Sequence, residues 1–151
     1  MKISQEPISQ AGHFDEDPLI PVLSTHLTPL DMVREFAKQM EQPLDEKWFF
    51  SHALERQRWQ MISEEYGEAF DESAAGNNPA AMLKEIADLV YVLYGYCGTY
   101  GWNLDKAIWR VHLSNMSKIG VDGKPLKHPS GKVMKGPHYQ KPDLTDLVET
   151  K

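Results

Sequence analysis

Apolar residues recur at helical spacing over most of the chain, and the breaks between those runs divide it into four helices. Thr28-Pro29 opens the first: the threonine caps, proline suits the first helical position, and Asp31 favours the positive end. Leu30, Val33, Phe36, Ala37 and Met40 then keep the three-four period until Pro43 ends it. A long second helix starts at Asp45 or at Ser51 and runs through Glu72. The segment Ala-Ala-Gly-Asn-Asn-Pro at 74–79 is a stop and a restart, with Gly76 releasing one helix, Asn78 capping the next and Pro79 beginning it. The pattern predicts an antiparallel helical hairpin. The third helix extends from Pro79 to about Tyr100, Gly101 breaks it, and Asn103 caps a fourth that continues to around Met116.

The flanks have a different character. Residues 1–27 hold Pro7, Pro18 and Pro21 with no sustained period and read as an extended arm. Its apolar piece, Leu19, Ile20, Val22 and Leu23, either packs on the domain or a neighbouring subunit, or belongs to a free tail. From Ile119 onward glycine and proline punctuate the chain, and Asp122-Gly123 and Ser130-Gly131 suit tight turns in a short irregular hairpin. The expected fold class is therefore all-α: an antiparallel bundle of about four helices at 28–118, an extended N-terminal arm at 1–27, and an irregular C-terminal tail at 119–151. That tail is basic, with Lys124, Lys127, Lys132, Lys135 and Lys141 following Lys118.

Size and charge narrow the partners. A chain of 151 residues with 41% hydrophobic content supports one domain with a real core. The net charge of −6 argues against binding a nucleic-acid backbone or an anionic membrane surface. Cys97 is the single cysteine, so no disulfide forms within the chain, which favours a reducing, cytoplasmic setting. No apolar run approaches the roughly 18 residues of a membrane span, and the N-terminal stretch lacks a signal core. The expectation is a soluble, unexported protein.

Four carboxylates change the picture. Glu65 and Glu68 lie three apart on the second helix, as Glu85 and Asp88 do on the third. At about 100° per residue each pair shares one helix face. The first pair interrupts the stripe of Leu54, Ile62 and Ala69, and the second lies among Ile86, Leu89, Val92 and Leu93. One Glu-x-x-Glu is common on a solvated helix; two pairs inside facing apolar stripes demand a countercharge. All-oxygen ligation selects a hard cation, so Mg²⁺ is expected and Mn²⁺ also fits. A di-iron bundle would carry Glu-x-x-His elements, and none occurs. Mg²⁺ usually bridges carboxylates to phosphates, so the substrate should be phosphorylated.

The run EEYGEAF at 64–70, followed by KEIADLVYVL at 84–93, resembles the Glu-Glu-x-x-Glu and Glu-x-x-Asp signature of the all-α nucleoside triphosphate pyrophosphohydrolases, the MazG-like superfamily. The segment SNMSKIGVDGKPLKHPSGKVMKGPHYQKPDL at 114–144 is similar to the C-terminal part of small single-domain MazG-like proteins of phages and bacteria. The resemblance covers about Val33 to Leu144. It implies hydrolysis of a nucleoside triphosphate, often a deoxynucleotide, between its α and β phosphates. Carried over by position, it makes Glu65, Glu68, Glu85 and Asp88 the metal ligands. It sets Glu64 at the attacking water or at a further metal, Asn115 at the nucleoside and Lys118 at the phosphates. Lys135 and Tyr139 would contact substrate from a lid-like tail, and Trp48 and Trp59 are candidates for the base. A phosphoribosyl nucleotide is the alternative substrate. A non-catalytic helical interaction protein, whose acids bind a structural ion or a basic partner, is the alternative class.

The remaining apolar residues point to self-association. Trp59, Tyr66 and Phe70 fall on another side of helix two, and Leu83, Tyr91 and Tyr94 on another side of helix three. Four helices cannot wrap all these faces, so a homo-oligomer is expected, a dimer or a tetramer.

Overall fold

The computed structural model describes residues 27–49 and 51–148. The arm expected over 1–27, with its apolar piece, lies outside the described residues apart from its last position. Four α-helices follow one another, and among the described residues the only β pairing is two isolated bridges. The fold is all-α.

Helix α1 spans Pro29–Gln39. Its start is a reciprocal capping box: Thr28 Oγ1 accepts the Asp31 amide at 3.2 Å, and the Asp31 carboxylate accepts the Thr28 amide at 3.0 Å. Leu30, Val33 and Ala37 are buried, as their spacing requires. The helix closes where the Gln42 amide reaches back to the Ala37 carbonyl at 2.8 Å, with Glu41 in the left-handed region and Pro43 beyond.

Helix α2 spans His52–Ala75, capped by Ser51, whose Oγ accepts the Leu54 amide at 3.2 Å. Of the two expected starts, the structure takes Ser51. Asp45 cannot cap, because tertiary contacts claim it. Its backbone sits at φ 57°, and its carboxylate takes both Arg34 Nη groups at 2.8 Å each. The next amide, of Glu46, donates to the Thr99 carbonyl at 2.7 Å. This strap crosses Gly101, where an added Cβ would meet Asp45 Oδ1 at 2.9 Å, so close approach requires glycine there.

Gly76 ends α2 in the left-handed conformation, and the Asn78 side chain accepts the Ala80 and Ala81 amides, both at 3.1 Å, to begin α3, Pro79–Thr99. Helices α2 and α3 form the expected antiparallel hairpin, and α1 packs across α3. Helix α4, Leu104–Met116, starts at Asn103, whose side chain accepts the Lys106 amide at 2.9 Å. It meets α1, and its Leu104 joins Leu30, Val33 and Tyr94 in the core. The Tyr94 hydroxyl donates to Asp105 at 3.0 Å, which fixes the start of α4 against α3.

Beyond α4 the tail turns twice, at Gly123 and Gly131, with bridges Ile119↔Pro125 and Lys127↔Val133. It then returns along α4. Ser114 Oγ donates to the Gln140 carbonyl at 2.7 Å, the Gln140 amide donates to Ser117 Oγ at 2.8 Å, and Arg110 binds the Asp143 carbonyl and the Asp146 carboxylate.

Candidate active site

The hairpin brings carboxylates from two helices together. One oxygen each from Glu65, Glu68 and Glu85 lies within 4.8 Å of the others, which is the spacing of donors around one ion. Glu65 and Glu85 are half-buried, while Glu68 is exposed at the rim. Partial burial pushes the Glu65 carboxyl above its ordinary value, and the charges of Glu68, Asp88 and Glu85 push the same way; Lys84 offsets part of this. A group so crowded favours a proton or a cation. The residues therefore fit a hard divalent ion: three oxygens converge, with no sulfur or imidazole among them.

Asp88, the fourth expected ligand, stands beside this triplet. It is bound to Lys84, whose Nζ lies 2.9 Å from Asp88 Oδ2 and 3.2 Å from both oxygens of Glu85. The two carboxylates hold the Lys84 ammonium well above its ordinary pKa. Lys84 was not singled out in the sequence, although its spacing of four from Asp88 is the signal that would have found it. Glu64 is exposed and outside the converging set. It lines a shallow groove on α2 with Arg56, Trp59, Gln60 and Ser63.

A second cluster forms where α4 meets the tail. Lys118 Nζ donates to Asn115 Oδ1 at 2.7 Å, and Lys135 Nζ sits 4.5 Å from the centre of the Tyr139 ring. Ser114, Lys135 and Lys118 together hold the Tyr139 phenol below its ordinary pKa. The structure thus brings the four expected substrate contacts, Asn115, Lys118, Lys135 and Tyr139, into one patch carrying two cations. Among the described residues no hydrogen bond or ion pair joins this patch to the carboxylates.

Trp48 and Trp59 belong to one aromatic chain. Trp48 meets Trp102 at 5.6 Å between ring centres, Trp102 meets Tyr96 at 5.9 Å, and Tyr96 meets Trp59 at 5.7 Å. Glu55 ties it together, accepting from Trp59 Nε1 at 2.9 Å, the Tyr96 hydroxyl at 2.8 Å and the Tyr100 hydroxyl at 2.5 Å. Partial burial raises the Glu55 carboxyl, but these hydrogen bonds outweigh it and hold the group below its ordinary value. Glu55 escaped sequence reasoning because its tyrosine partners lie 41 and 45 residues away.

The profile of the phosphoribosyl-ATP pyrophosphohydrolase family matches residues 33–115, more than half of the chain, including Glu65, Glu68, Glu85 and Asp88. The chain belongs to this family. The family lies within the MazG-like all-α superfamily, so the resemblance read from the acid signature holds, and its activity class is pyrophosphohydrolysis of a nucleotide. The match ends at Asn115; Lys118, Lys135 and Tyr139 lie beyond it. Comparison with curated proteins found no match. No described helix is long and apolar enough to cross a membrane.

Proposed function

We propose that the chain hydrolyses nucleoside triphosphates between the α and β phosphates, releasing a monophosphate and pyrophosphate. The observation that carries this is the convergence of Glu65, Glu68 and Glu85 on one point between two helices, inside a sequence that the family matches. These three and Asp88 would hold Mg²⁺, with Mn²⁺ able to replace it. A bound divalent ion supplies charge neutralisation at the phosphates and a more acidic water.

The chain's own residues supply the rest. Glu64, the first acid of the Glu-Glu-x-x-Glu signature, would accept the water's proton. Lys118 offers its ammonium to the phosphates and to the charge that develops on leaving pyrophosphate. Asn115, whose carboxamide already meets Lys118, orients the nucleoside side of the substrate. Lys135 and Tyr139 close on it from the tail.

This reading includes self-association as a dimer or tetramer. Tyr66, Phe70 and Leu83 are 61, 63 and 70% exposed, and an apolar groove of about 340 Å³ runs between Trp59, Ile62, Val90, Leu93 and Ile108. Such faces call for a partner surface. A second substrate, phosphoribosyl-ATP, is favoured by the family match itself; its triphosphate end presents the same α–β bond. Specificity constants for the common ribo- and deoxynucleoside triphosphates, dUTP and phosphoribosyl-ATP, each with Mg²⁺, separate the two. Triphosphates hydrolysed ahead of phosphoribosyl-ATP support the first reading; the reverse order supports the second.

A further inference from the structure

Among the described residues, Lys84 is the cation that ion-pairs with the acid cluster, and it holds the two members that α3 contributes. We propose that Lys84 is the resident counter-cation of the metal-free site, displaced from Glu85 and Asp88 when a divalent ion binds and then turned to the substrate's phosphates. The inference rests on the reading of this cluster as the metal site.

Glu85 is shared. Its carboxylate gives one oxygen to the converging triplet, while both of its oxygens lie 3.2 Å from Lys84 Nζ. Lys84 and a divalent ion therefore compete for the same side chain. Asp88 is held at 2.9 Å by the same ammonium and stays out of the triplet, so releasing Lys84 also releases a fourth ligand. Little resists that release. The Lys84 side chain is 61% exposed, and exposed ion pairs contribute little to stability. Helix stabilisation is a poor reason for the contact, because lysine four residues ahead of an acid is the weaker orientation along a helix.

Once a dipositive charge occupies Glu85, repulsion drives the ammonium outward along its flexible four-carbon stem. A nucleotide that meets the bound ion has to bring its phosphates in from solvent, where Lys84 and Glu68 are exposed. Lys84 would then pass from carboxylate to phosphate without leaving the rim. A fixed helix-surface pair would do neither.

The two halves of the proposal shift in opposite directions, and that is the test. Mn²⁺ alone is titrated into the wild-type protein, Lys84→Gln and Lys84→Arg without nucleotide, with the free ion followed by electron paramagnetic resonance. Lys84→Gln should bind Mn²⁺ about fourfold more tightly at low ionic strength, with the gap narrowing in salt. Lys84→Arg, which keeps the charge, should stay within about twofold of wild type. In Lys84→Gln the KM for the preferred nucleotide should rise roughly fivefold while kcat changes less. Equal or weaker Mn²⁺ binding by Lys84→Gln overturns the counter-cation role, and an unchanged KM overturns the passage to phosphate. If the wild-type protein takes up no Mn²⁺, the metal site itself is refuted and this inference with it. Wild-type binding matched by the variant refutes the inference alone.

Discussion

At Glu65, partial burial and the charges of Glu68, Asp88 and Glu85 favour protonation in the folded chain, and Lys84 relieves only part of this. A carboxyl raised in the folded state costs stability once it ionises, and the cost disappears as pH falls through its folded pKa. Glu65→Gln should therefore raise the melting temperature of the metal-free protein at neutral pH, with the gain shrinking toward pH about 4. Melting in the presence of a chelator measures this, and a variant less stable than wild type at neutral pH would show that Glu65 is a structural acid. Lys118 makes the opposite case. Its contact is one exposed hydrogen bond to Asn115, so Lys118→Ala should leave the melting temperature nearly unchanged while weakening nucleotide binding or turnover about tenfold. Parallel losses of stability and activity would show instead that Lys118 serves the C-terminal end of α4. The convergence of Glu65, Glu68 and Glu85 was legible because three-residue spacing on helices fixes a shared face. The pairing of Asp88 with Lys84 was not, since spacing says which side chains are near but not which cation they choose.

At the scale of elements, Glu55 links α2 to the end of α3. Its acceptors satisfy Tyr96, Tyr100 and Trp59, and Tyr100 is almost wholly buried. Glu55→Ala strands these donors and should cost about 2 kcal/mol of stability, read from denaturant melts. No measurable loss would mean that water satisfies the tyrosines equally well. Because the folded Glu55 carboxyl is held low, its stabilisation is present above its unfolded pKa and is lost as pH falls through the folded value, the reverse of Glu65. Helix starts at Thr28, Asn78 and Asn103 were readable because cap chemistry is local. Asp45 and Ser51 are both capping residue types, and the choice between them was made by Arg34, which meets Asp45 only after the chain has folded. The two turns of the tail were readable from Asp122-Gly123 and Ser130-Gly131, whereas its return along α4 depends on Ser114, Ser117 and Arg110 in ways no local pattern records.

For the molecule as a whole, one chain holds an acidic cluster between α2 and α3 and a basic patch where α4 meets the tail, and it leaves large apolar side chains in the open. The exposed Trp59, Tyr66, Phe70 and Leu83 were visible in the sequence as excess apolar surface, whereas Tyr94, expected beside them, is buried in the core. The placement of α4 against α1 and the end of α3 was not visible, because helical periodicity does not choose neighbours. Light scattering at micromolar concentration should give at least twice the 17.2 kDa chain mass. A monomer that still turns over nucleotide would require another explanation for those exposed faces. The most direct test of the metal-dependent pyrophosphohydrolase assignment follows the phosphorus itself: phosphorus NMR of a triphosphate incubated with wild-type protein and Mg²⁺, with chelator, and with Glu68→Gln. Glu68 is the exposed member of the converging triplet, so its amide variant should keep the helices while removing one anionic donor. The expected result is monophosphate and pyrophosphate in equal amounts, abolished by chelator and reduced about 100-fold or more in Glu68→Gln. Release of orthophosphate, or pyrophosphate formed at the wild-type rate by Glu68→Gln, would contradict it.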